Sequence, residues 1–180
     1  FLHDGAAEAA RGLVLSMYLG GVSVARIIDG PIRRSMARLG ELWQDDAAGI
    51  LLEHRATDIC IQSLNQLRAV MSPSDDNPVA VGGAPSRDPY LIASLSVATV
   101  LDSLGFAATN LGPETPLATL RQAAESLDPK LVWVSVSHAA DPAGLEAELE
   151  ALLEHLAPRG ISLVVGGAEL TLALRDPQPT

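Results

Sequence analysis

The sequence predicts an α/β protein in which a helical bundle precedes a doubly wound parallel sheet. Three observations carry that expectation. Residues 1–72 show only helix-type apolar spacing, and the remainder alternates short apolar runs with helical stretches. Between them lies Ser72-Pro73-Ser74-Asp75-Asp76-Asn77-Pro78, whose prolines and small polar side chains have little to bury. The boundary is therefore placed there, with a helical domain at 1–72 and an α/β domain at 78–180. A chain of 180 residues suits one large domain or two small ones.

In the first domain, residues 5–19 are rich in Ala and Leu, and Gly20-Gly21 stops that helix. A second helix is expected after Asp29 as its cap, with Pro31 just inside, where a missing N–H costs nothing. Ile32, Met36, Leu39 and Trp43 then fall on one face. A third helix, 46–70, repeats the pattern with Ile50, His54, Thr57, Ile61 and Leu64. Long helices with short connections suggest an antiparallel bundle.

In the second domain, strands are expected at 78–83, 106–111, 131–137 and 161–165, with helices at 90–104, 116–126 and 143–156. That βαβαβαβ order requires parallel strands with right-handed crossovers, a Rossmann-like (flavodoxin-like) sheet. The chain stops soon after the fourth strand, so any fifth is expected to be truncated or lost. Ligands of such sheets bind beyond the carboxyl ends of the strands. Small residues stand at all four ends here: Gly82-Gly83, Leu111-Gly112, Ser135/Ser137 and Gly166-Gly167.

Composition removes several function classes. The chain has 12 basic and 22 acidic residues, a net charge of −10, with −1 in residues 1–72 and −9 after them. Such a balance is poor for wrapping nucleic acid, and the Arg33/Arg34/Arg38 cluster reads as a solvated face or an oligomer contact. No apolar run reaches the length of a membrane span. The single Cys60 rules out an internal disulfide, which makes the cytoplasm the expected compartment. The turn Gly82-Gly83-Ala84-Pro85-Ser86-Arg87-Asp88 lacks the glycine spacing and lysine of nucleotide-binding loops. No G-x-S-x-G elbow surrounds Ser135, Ser137 and His138, and His138 reads as part of a loop that hydrogen-bonds its own turn. The four histidines and one cysteine form no metal-site spacing.

One constellation is more specific. Asp88-Pro89-Tyr90-Leu91-Ile92-Ala93 is followed after 41 residues by Ser135-Val136-Ser137, and after 28 more by Gly166-Gly167. These resemble the D-x-H-x-x-G, S-x-L and G-G landmarks of the cobalamin-binding domain found in methionine synthases, mutases and cobalamin-dependent regulators. Leu111-Gly112-Pro113-Glu114-Thr115-Pro116 resembles that family's L-G-x-x-x-P turn. Trp43, nine residues and then Glu53-His54 resemble the helical cap of CarH-like, MerR-type, light-responsive adenosylcobalamin repressors. The resemblance implies a cobalamin, adenosylcobalamin above all, held between cap and sheet, with Trp43, Glu53 and His54 over its upper face. The alternative for Trp43 and His54 is bundle core.

The resemblance is broken at the metal. Tyr90 stands where the family's cobalt-coordinating histidine would be, which leaves it a weak metal ligand. Ala93 replaces the loop glycine, and Gln44 replaces the histidine after the tryptophan. Three readings stay open: a cobalamin held without the lower histidine, another tetrapyrrole such as a bilin or haem, or a ligand-free dimerisation module. The resemblance implies a sensor of a transcriptional regulator or photoreceptor-like protein rather than an enzyme. Self-association would be its readout, with DNA bound only through a further N-terminal domain.

Overall fold

The computed structural model describes residues 1–42, 47–71, 74 and 76–169. Two compact units divide the chain: Phe1–Pro73 with Asp102–Leu104, and Ser74–Leu101 with Gly105–Thr180.

The helical unit opens with α1 (Ala7–Leu19), which buries Ala10 and Val14. Gly20 and Gly21 end it as expected: their N–H groups return to the Ser16 and Tyr18 carbonyls at 2.9 Å, and Gly21 takes φ +84°. The next helix starts earlier than the sequence suggests. Ser23 caps α2 (Val24–Ile27), its hydroxyl accepting the Arg26 N–H at 3.4 Å. Asp29 is not a cap. It lies with Pro31 in a π-helical turn, Ile28–Ile32, that leads into α3 (Arg33–Leu42). The wider turn relieves the clash a proline ring would make with the carbonyl four residues back.

The longest helix, α4 (Ala47–Met71), packs against both α1 and α3. Its buried stripe is Leu52, Ala56, Ile59, Cys60, Ser63, Leu64 and Leu67. Of the stripe expected from sequence, only Leu64 is buried, and Ile50 is 61% exposed. Burying that stripe would have desolvated His54 and Thr57, whereas the observed one is apolar or small. Leu39, Leu52 and Ala56 close one core cluster with Met36 and Leu2. Trp43 and Gln44 lie outside the described residues.

The second unit contains β1 (Val79–Gly83), α5 (Leu91–Ser103), β2 (Ala107–Asn110), α6 (Leu117–Leu127), β3 (Leu131–Ser135), α7 (Pro142–Leu156) and β4 (Ser162–Gly166). All pairings are parallel and the strand order is β2-β1-β3-β4, the doubly wound topology. Alternation along β3 separates two cores. Val132 and Val134 join Val81, Leu120 of α6 and Leu152 of α7 on one face. Trp133 joins Ala80, Ala98 and Leu101 on the other. Gly82 is in register with Trp133, and a Cβ there would run into the indole. Gly105 ends α5 at φ +86°, and Asp141 caps α7 by accepting the Gly144 N–H at 3.0 Å, with Pro142 in the first turn. Among the described residues β4 is an edge strand, and its Val164 is half exposed.

Candidate functional site

The carboxyl ends of the four strands are wired together by loop hydrogen bonds. After β1, Ala84 N–H donates to the Gly112 carbonyl at 2.9 Å, and Thr115 N–H donates to the Ala84 carbonyl at 2.8 Å. These bonds join the β1 and β2 tips. On the other side, Val136 N–H donates to the Gly166 carbonyl at 2.7 Å and joins β3 to β4. Gly83 and Gly112 are required by this closeness. A Cβ on Gly83 would meet the Gly112 carbonyl oxygen at 2.8 Å, and Gly112 takes φ +92°.

Asp88 ties the two halves. Its side chain is fully buried, and its carboxylate accepts three backbone N–H groups: Tyr90 at 3.1 Å on Oδ1, Ser137 at 2.6 Å and His138 at 3.1 Å on Oδ2. Its own carbonyl accepts Glu114 N–H at 3.0 Å. One carboxylate thus fixes the loop after β1 to the loop after β3, using charge-assisted bonds that offset its burial. The expectation that His138 bonds its own turn is corrected: strand β3 ends at Ser135, and the His138 amide reaches across to Asp88. The sequence signal was Asp88 itself, an acid directly before a proline at a strand tip.

Eight of the sequence-derived residues share this rim: Asp88, Tyr90, Leu111, Gly112, Ser135, Ser137, Gly166 and Gly167. Their environments differ. Ser135 is buried and aligned with Gly166, whereas Tyr90 is 52% exposed and Leu111 is also in solvent. Gly167 is demanded by the protein's own packing, with φ +138° and a Cβ that would overlap the Val136 backbone. Gly166 is not: a Cβ there meets nothing within 4 Å. Its missing side chain leaves open space above β4.

Glu53 and His54 lie on α4 in the helical unit. Glu53 Oε1 accepts the Thr57 hydroxyl at 3.2 Å, and His54 Nε2 is 3.6 Å from Glu53 Oε2. His54 is exposed, so its reading as a buried core histidine is overturned. Ile50 and Leu51, at 61% and 69% exposure, stand in the turn before it, an uncovered apolar pair beside a polar one. Trp43 lies outside the described residues.

The rim suits a broad flat ligand such as a corrin. Exposed Tyr90 and Leu111 offer apolar contact, and Gly166 leaves room for close approach. The donor at position 90 is a phenol, a poorer cobalt ligand than the imidazole it replaces in the resemblance. Among the described residues no cluster of three His, Cys, Asp or Glu could hold a bare metal ion. No helix among them is long and apolar enough to cross a membrane.

Comparison with known proteins bears on both units. Residues 2–68 match the family model described as B12 binding domain. The chain is 33% identical over 115 residues to the HTH-type transcriptional repressor CarA of Myxococcus xanthus, a match covering 64% of this chain and 39% of the repressor. It is 26% identical over 157 residues to dimethylamine corrinoid protein 2 of Methanosarcina acetivorans, covering 84% of this chain and 72% of that protein. The monomethylamine corrinoid protein of Methanosarcina barkeri superposes with a TM-score of 0.71 at 16% identity, over 97% of this chain and 84% of its own. The helical residues 2–68 thus carry the match to the B12 binding domain, and helices followed by a four-stranded parallel sheet give the chain the fold of a corrinoid protein.

Proposed function

We propose that the protein is a corrinoid sensor that binds a cobalamin on the carboxyl edge of its sheet. The single observation that carries this reading is the rim organised by Asp88. Its carboxylate is fully spent on backbone amides that hold two loops still, while Tyr90, Leu111 and His138 stay exposed around it. A rigid, glycine-edged platform with uncovered apolar side chains is suited to a large planar guest. Similarity to the CarA repressor supports a regulatory setting, in which ligand binding shifts self-association. The net charge of −10 argues against DNA contact by these residues themselves. No catalysis is assigned to the chain.

Incubation with adenosylcobalamin followed by desalting tests this. Corrin absorbance co-eluting with the protein at near one equivalent is the expected result, and colourless protein ends the reading. The exposed Tyr90 phenol favours one second reading, haem, because phenolate is an established haem-iron ligand. Retention of hemin but not of the corrinoid on the same column would select it.

A further inference from the structure

We propose that the helical unit holds a second binding site, an apolar cavity with a cationic mouth that takes a small amphipathic carboxylate, its chain inward and its head at Arg38. The inference stands apart from the corrinoid reading. Among the described residues every lining position belongs to the helical unit, and on α4 the lining is Cys60 and Ser63 rather than Glu53 or His54.

The cavity lies where α1, the π-helical turn, α3 and α4 meet, and measures about 400 Å³. Close-packed interiors leave few voids larger than a water molecule, whereas small-molecule sites occupy roughly 300–1,000 Å³. Its floor is buried and apolar: Ala10, Val14, Ile32, Leu39 and Cys60. Burial pushes the Cys60 thiol up to about 11, so it is uncharged at neutral pH. The buried Ser63 hydroxyl is already used, donating to the Ile59 carbonyl at 2.8 Å. The N-terminal segment makes one wall. The Arg55 guanidinium fixes it by donating to the His3 carbonyl at 2.7 Å, and Leu2 packs on the cluster of Leu39, Leu52 and Ala56.

The mouth has a different chemistry. Arg38 and His3 line it and are exposed. His3 Nδ1 is 3.0 Å from Asp4 Oδ1, while Arg38 pairs with no carboxylate among the described residues, and none of those lining the cavity is acidic. A lone guanidinium above an apolar floor matches a monoanionic carboxylate, which its planar fork can hold by two parallel N–H···O bonds. The attached chain gains by burying its methylenes against the floor.

Isothermal titration calorimetry of the purified protein with octanoate and with 1-octanol tests this. The expected result is one saturable octanoate site per chain, with 1-octanol weaker. Arg38→Gln should weaken octanoate by about fivefold and leave 1-octanol unchanged. Ala10→Leu, which fills the floor, should abolish binding of both; if that variant fails to fold, Leu13→Trp at the exposed mouth replaces it. Equal affinity for the two probes, or octanoate binding indifferent to Arg38→Gln, overturns the anionic head. Octanoate binding that survives the filling variant, or no saturable binding at all, overturns the site. Corrin co-elution is measured on the same variants and should match the parent, so failure of this site leaves the corrinoid reading standing.

Discussion

Asp88 and Ser137, 49 positions apart in the chain, meet at 2.6 Å, the buried carboxylate of the first accepting the backbone N–H of the second. With the Tyr90 and His138 amides on the same carboxylate, removing it strands three donors at once. Asp88→Ala is expected to destabilise the sheet unit by about 3 kcal/mol or more. Asp88→Asn, which keeps one acceptor, should lose less. Urea unfolding followed by circular dichroism checks both, and an Ala variant as stable as the parent would refute the tie.

The paired glycines at the end of β4 separate structure from ligand. Gly167→Ala must place a Cβ against the Val136 backbone at φ +138° and is expected to cost about 2–4 kcal/mol. Gly166→Ala meets open space, so its melting temperature should stay within a degree or two of the parent. If Gly166 faces the guest, the same variant should release corrinoid faster during desalting. Parent-like retention would remove Gly166 from the site.

On the helical side, His54 is exposed and next to Glu53. His54→Ala should leave folding unchanged and reduce retention of adenosylcobalamin several-fold more than retention of cyanocobalamin, because the adenosyl group adds ribose and adenine hydrogen-bond partners that cyanide lacks. Equal loss of both forms, measured by equilibrium dialysis, would take His54 off the upper side.

Cys60 gives a pH signature. Burial pushes its thiol from an ordinary 9.0 up to about 11. The folded state therefore holds the proton more tightly than the unfolded one. The resulting stabilisation is complete below pH 9 and is lost as pH rises from 9 to 11. Iodoacetamide at pH 8 should label Cys60 slowly in native protein and rapidly in urea. The fall in melting temperature between pH 9 and 11 should be shallower in Cys60→Ala.

Much of this fold is legible in the sequence because its signals are local. Gly20-Gly21, Gly105 and Asp141-Pro142 mark helix ends through backbone chemistry that needs no distant partner. The apolar runs of β1 and β3 read as buried strands for the same reason. Two readings failed where local signals were ambiguous. Asp29 and Pro31 look like a cap and a first-turn proline, yet sit inside a π-helical turn, because Ser23 starts the helix six residues earlier. Along α4, two stripes interleave, and only packing against α1 and α3 shows that Leu52, Ala56 and Ile59 face inward while Ile50 does not. The rim was half legible. Its small residues could be listed from strand ends, but the reach of Asp88 to Ser137 and His138 spans some fifty residues and has no periodic trace.

The π-helical turn at Ile28–Ile32 sets the rotational phase of everything that follows it in α3. One residue more or fewer in a helix swings the downstream surface by roughly 100°. Deleting Gly30 would therefore carry Leu39 away from Leu52 and Ala56 while leaving composition and hydropathy almost unchanged. Tolerance to amino-acid exchange in this stretch should be broad, and tolerance to a change in its length close to nil.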